Sequence, residues 1–201
     1  MSPEFLLTAF IVCITPGIGV VYTLSATLGG GVRAGLWAVV GCTIATVLHM
    51  IVAMVGLAAV LHTSAVLFQT IKFLGVAYLL WMAWAVLQST GPLAIEAAEV
   101  GLARTLVWRG IVLNILNPKL PLFFVAFLPQ FLPADDPSIW PLVTLGAGFT
   151  AMTFATFLIY VAAAASGRNA ILSSPRVLTW MRRAFAASFA ALGARLALER
   201  T

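Results

Sequence analysis

The chain has 201 residues, of which 62% are hydrophobic and only 8% charged, and its net charge is +5. Soluble domains carry about 25% charged residues, and a chain of this size has too much surface to stay dissolved with so few. A soluble core is excluded, and the basic residues form no cluster of the kind that binds nucleic acid.

The N-terminus, "MSPEFLLTAF", carries Glu4 and no basic residue, so it reads as the beginning of the first helix and not as a signal peptide. Six apolar segments follow, each near the length that crosses a hydrocarbon slab of about 30 Å. They fall at about 4–28, 36–61, 70–87, 106–132, 139–165 and 177–198. Strands are excluded, because the runs do not alternate and an unclosed sheet leaves polar groups unsatisfied in lipid.

The first segment holds "CITPGIGVVY", with Pro16 and Gly17 in mid-span. Proline removes a backbone donor and glycine lets the chain leave the helix. Carbonyls around Ile11 to Cys13 are expected to lose partners, to be replaced by neighbouring helices, by Thr15 or by water. The turn "GGGVRAG" leads to the second segment, where His49, Thr43 and Thr46 make a polar stripe. His49 is a candidate proton carrier by its ordinary pKa, or else a neutral packing residue. On the third segment Tyr78, Trp81 and Trp84 stand three apart, an aromatic belt or lipid-facing stripe.

The fourth segment contains the second break, "LNILNPKLPLFF". Lys119 there costs about 2.5–3.5 kcal/mol at a bilayer centre, tolerable where the amine meets water, a carboxylate or freed carbonyls. Asn114 and Asn117 share a face and line the same cavity or cap the fractured helix. The loop "PADDPS" leads to the fifth segment. The sixth is short between Arg182, Arg183 and Arg195, and its Ala190, Ala191, Gly193 and Ala194 suit close packing, with a homodimer contact as one use. Cys13 and Cys42 suggest neither a disulfide framework nor a metal site.

The halves, about 1–90 and 104–201, each open with a proline-broken helix followed by a long one and a shorter one. Three spans per half reverse the orientation of the second half. The fold class read from this is an all-α membrane protein, six transmembrane helices as two inverted three-helix repeats with the first and fourth broken. Such transporters bind substrate at the breaks near the midplane. With the N-terminus outside, inside loops hold Arg33, Arg104, Arg109, Arg168, Arg176, Arg182 and Arg183. Outside segments then hold Lys72, Arg195, Arg200, Asp135 and Asp136, so the basic excess puts both termini out.

"ITPG", "FLGVAYLLWMAW" and "NILNPKLPLFFVAFLPQF" resemble the LysE/RhtB-type amino-acid exporter family over essentially the whole chain. The resemblance implies a multi-pass transporter of the bacterial inner membrane, not an enzyme and without a cofactor. It would export amino acids or derivatives by proton coupling or exchange. Thr15, Pro16, Gly17, Asn117, Pro118 and Lys119 match the family's signature positions, with Asn114 added from spacing. Two departures stand out. Ile18 and Gly19 replace the proline and polar residue that usually follow Thr-Pro-Gly, and the second and fifth spans hold no Asp or Glu. A divalent-cation exporter of related type and a non-transporting membrane subunit are the alternatives. A membrane thiol carrier is disfavoured because the fourth span has no cysteine.

Overall fold

A backbone in lipid has to satisfy its own polar groups, and long apolar runs do so as helices. The computed structural model describes residues 1–14, 17–61, 101–117, 119–133 and 138–166, with isolated positions at 70–88 and 174–194. Among the described residues there is no strand. The elements are α1 (Pro3–Ile14), α2 (Ile18–Leu61), α3 (Ala103–Ile115), α4 (Lys119–Phe127) and α5 (Trp140–Ala165), with one 3-10 turn, Leu128–Phe131, after α4. Thr70, Trp81, Trp84, Trp180 and Ala186 are among the isolated positions, and all five are helical.

α2 is a hairpin. It folds back at Gly31, whose φ of 71° and ψ of −172° belong to a region that is essentially glycine's alone. The "GGGVRAG" segment is therefore not a seven-residue turn: helix runs through it on both sides of one residue. The arms, residues 18–30 and 32–61, lie antiparallel. A Cβ on Gly35 would overlap the Thr27 hydroxyl, and the Cys42 thiol faces the Gly19 carbonyl at 3.9 Å.

The second arm packs alongside α3 with the backbones in contact. A Cβ on Gly41 would overlap the Val107 carbonyl, and one on Gly110 would meet the Ala38 carbonyl at 3.0 Å. Small residues at a membrane helix crossing allow this approach, since lipid supplies no hydrophobic drive to hold helices together. Ala38 sits by Gly110 and His49 by Asn114, so the two helices run parallel. α1 and α5 also run parallel, from Phe5 beside Gly148 to Ile14 beside Tyr160.

Two apolar clusters result. One joins Phe5, Val12, Leu120, Phe123, Phe124, Phe127 and Phe149, and takes in Val76 and Ala186. Phe123 stacks on Phe127 at 5.1 Å, and Phe124 meets Phe149 edge-on at 4.8 Å. The other joins Val20, Tyr22, Leu24, Val39, Leu106, Phe157, Tyr160 and Val161. All six tryptophans are exposed, Trp81 and Trp84 included, as befits an aromatic belt in lipid. Tyr78 and Lys72 lie outside the described residues.

The close crossing predicts that Gly41→Leu prevents accumulation in the membrane, because overpacking costs about 1–3 kcal/mol even where a side chain can shift, and here it meets backbone. Gly56→Leu, with nothing within 4 Å of its added Cβ, should accumulate normally. Immunoblots of isolated membranes compare the two.

Candidate functional site: a polar layer at two helix breaks

Pro118 has no N–H, so the carbonyl of Asn114, four residues earlier, loses its helical donor. α3 ends at Ile115, and Asn117 N–H turns back to that carbonyl at 3.0 Å. His49 Nε2 donates to it as well, at 2.9 Å. A carbonyl only accepts, so Nε2 carries a proton in this arrangement.

The Asn114 side chain is 3% exposed. Its amide nitrogen donates to the Gly110 carbonyl at 3.1 Å and to the Cys42 sulfur at 2.9 Å. It rests on Gly19, where an added Cβ would lie 2.7 Å from Asn114 Oδ1. The glycine that departs from the usual pattern after Thr-Pro-Gly is thus the seat for an asparagine from the second break.

At the first break α1 ends at Ile14, Gly17 is non-helical, and α2 starts at Ile18. Tyr160, from α5, donates its hydroxyl to the Ile14 carbonyl at 2.6 Å. Two turns earlier on α5, Thr153 donates to the Phe149 carbonyl at 2.9 Å and stands 3.2 Å from the Cys13 sulfur. The carboxyl end of each interrupted helix is therefore met by a side chain from another helix.

Both breaks border one cavity of about 30 Å³. Cys13, Gly17 and Gly19 line it from the first break, Asn114 and Asn117 from the second, and Phe149, Thr153 and Phe157 from α5. Val12, Val20 and Leu120 complete an apolar wall. The space suits a water-sized group and is too small for an amino acid.

Of the residues expected at the site, Gly17, Asn114 and Asn117 line the cavity, and His49 is bound to its edge. Thr15, Pro16 and Pro118 lie outside the described residues, as does the side chain of Lys119, whose backbone opens α4. Gly19, Cys42, Thr153 and Tyr160 belong to the site but carry no sequence signal beyond being polar or small in an apolar span. Among the described residues no three His, Cys, Asp or Glu side chains are grouped as metal ligands would be.

Residues 10–200 match the family described as LysE type translocator. A Vibrio cholerae serotype O1 protein described as "Uncharacterized membrane protein" is 32% identical over 196 residues, 96% of this chain and 94% of that one. A leucine efflux protein of Enterobacter sp. is 34% identical over 132 residues, 64% of this chain and 62% of its own length. A homoserine/homoserine lactone efflux protein of Salmonella typhimurium is 26% identical over 197 residues, 98% of this chain and 95% of its own. No solved structure matches the chain. The family match runs through both breaks and covers nearly every residue, and the protein belongs to the LysE type translocator family.

Proposed function

We propose that this protein is a secondary transporter of the bacterial inner membrane that exports amino acids or amino-acid derivatives, moving them through the polar layer between the two breaks. The leucine and homoserine efflux relatives supply the substrate class. The observation that carries the site is the shared cavity, to which both interrupted helices contribute polar lining.

The architecture that goes with this reading is six spans in two inverted halves, about 1–90 and 104–201. The parallel pairings support it: odd-numbered crossings of one sense should match each other, as α1 and α5 do, and the second and fourth crossings likewise. Both termini then lie outside. The exposed Ala190 and Ala194 of the sixth segment support a homodimer contact there.

An amino acid brings a carboxylate and an ammonium. At the second break the N-terminus of α4 begins with Lys119, and a half-helix N-terminus with a lysine favours the carboxylate. The C-terminal ends of α1 and α3 favour the ammonium, but Tyr160 and His49 already donate to their Ile14 and Asn114 carbonyls. Substrate entry has to displace these donors or use Asn114 Oδ1. The walls of Val12, Val20, Leu120, Phe149 and Phe157 suit an apolar substrate side chain. Because the cavity holds little more than a water, the halves have to rock apart before an amino acid enters.

Lys119→Ala should abolish export of labelled amino acid from dipeptide-loaded cells while leaving membrane abundance unchanged. Lys119→Arg should be impaired too, since a planar fork does not replace a compact ammonium. Wild-type export by Lys119→Ala would place the carboxylate elsewhere.

His49 is committed through Nε2 to a carbonyl, which supports a positioning role over proton carriage. His49→Ala should lower export without moving its pH dependence; a displaced pH profile would make it the proton carrier instead.

Orientation is read from reporter fusions. A reporter after Gly101 should be active only as an inside marker, and one after Asp136 only as an outside marker. The opposite pattern would invert the assignment.

A further inference from the structure

A groove of about 660 Å³, separate from the polar layer, runs between the second arm of α2 and the start of α3. Its walls are Trp37, Val107, Trp108 and Ile111, and Arg104 and Thr105 stand at its polar end. Trp37 is 37% exposed and Trp108 63% exposed.

The groove grades from charge to hydrocarbon over one or two helical turns. Arg104 is in the first turn of α3, Trp108 one turn deeper, and Ile111 nearly another. Trp37 comes one turn after Arg33, which follows the Gly31 bend, so both walls start at the same membrane face. Tryptophan rings favour this depth, where one side is apolar and the other wet. Arg33, Arg104 and Arg109 give the face a positive potential. The only carboxylate among the described residues, Glu4, stands at the far end of α1.

We propose that this groove binds an anionic phospholipid, with its phosphate on the Arg104 guanidinium and its upper acyl chain against Trp37, Val107, Trp108 and Ile111. Charge selects the occupant. A guanidinium pairs with phosphate in a two-pronged fashion, and basic pockets between membrane helices hold anionic headgroups. A zwitterionic lipid brings an ammonium for which the described residues of the groove lining hold no carboxylate. A soluble phosphate would leave the apolar walls unused. The site is distinct from the transport cavity and acts on anchoring and stability, not on substrate choice.

Native mass spectrometry tests this on full-length protein released from mixed micelles of dioleoylphosphatidylglycerol and dioleoylphosphatidylethanolamine at equal proportion. The wild type should retain phosphatidylglycerol preferentially. Arg104→Gln should reduce that preference about fivefold, the ratio expected for one basic residue at a membrane surface. Arg104→Lys should keep part of it, and Arg183→Gln, a change at an exposed arginine of the sixth segment, should keep all of it. Trp108→Ala should weaken retention of both lipids. Equal retention of the two lipids by the wild type, or an unchanged preference in Arg104→Gln, overturns the proposal. It is also overturned if preference appears only when the linker carboxylates are removed as Glu96→Gln with Glu99→Gln, because the linker would then be the groove's occupant.

Discussion

A prolyl nitrogen cannot donate, and inside lipid the carbonyl four residues before it has no water to turn to. A buried polar group left unsatisfied costs about 1–3 kcal/mol. At Asn114 this constraint brings His49 and the Asn117 amide to one oxygen. His49 reaches it only because the second arm of α2 runs alongside α3, and that requires backbone contact at Gly41 and Gly110. The arm in turn lies there because the chain reverses at Gly31. One missing N–H thus places demands on a histidine 69 positions away in sequence and on three glycines.

The same constraint accounts for the layering. Apolar clusters lie on either side of the breaks, and the side chains that satisfy the breaks share one level between them. Val12, Leu120 and Phe149 belong to one cluster and Val20 and Phe157 to the other, yet all five line the same cavity. A polar layer between two greasy ones is stable only if each polar group has a partner within the layer. Thr46 meets this by donating back to the Cys42 carbonyl at 3.1 Å and Thr156 by donating to the Met152 carbonyl at 2.8 Å, whereas the Thr43 hydroxyl is buried without a partner among the described residues.

What the sequence disclosed was the chemistry that is local. Proline and glycine in mid-span announce broken helices at 14–18 and 115–119, and the helix ends fall there. Asn114 and Asn117, three apart, announce a shared face, and both line the cavity. The partners were hidden because they are non-local: nothing around Tyr160 or Cys42 reveals that Ile14 or Asn114 stands opposite. Gly19 read as a departure from a familiar motif, and only packing shows that its missing side chain is what admits Asn114. The "GGGVRAG" turn is shorter in the structure than its composition implies for a related reason. In lipid an arm gains by staying helical to the last residue, so a single glycine outside helical geometry suffices for the reversal.

The two clusters close the cavity by different chemistry, and that bears on how a carrier of this build would cycle. On the side of the chain's N-terminus the closure is phenylalanine on phenylalanine: Phe5 on Phe131 at 5.3 Å, and Phe123 on Phe149 at 5.5 Å. On the other side, hydrogen bonds from tyrosines tie segments distant in sequence: Tyr22 to the Leu106 carbonyl at 2.7 Å, and Tyr160 to the Ile14 carbonyl at 2.6 Å. Aromatic pairs have both offset-stacked and edge-on geometries to move between and leave no polar group unsatisfied when they do, each pair being worth about 0.5–1.5 kcal/mol beyond burial. A hydrogen bond to a main-chain carbonyl is lost outright once its geometry fails, and the carbonyl then needs a new donor. An opening toward the tyrosine side would therefore expose carbonyls at the moment a path to that side formed. An ammonium passing there is a donor of the kind those carbonyls need, so the substrate itself would offset the cost of opening that gate.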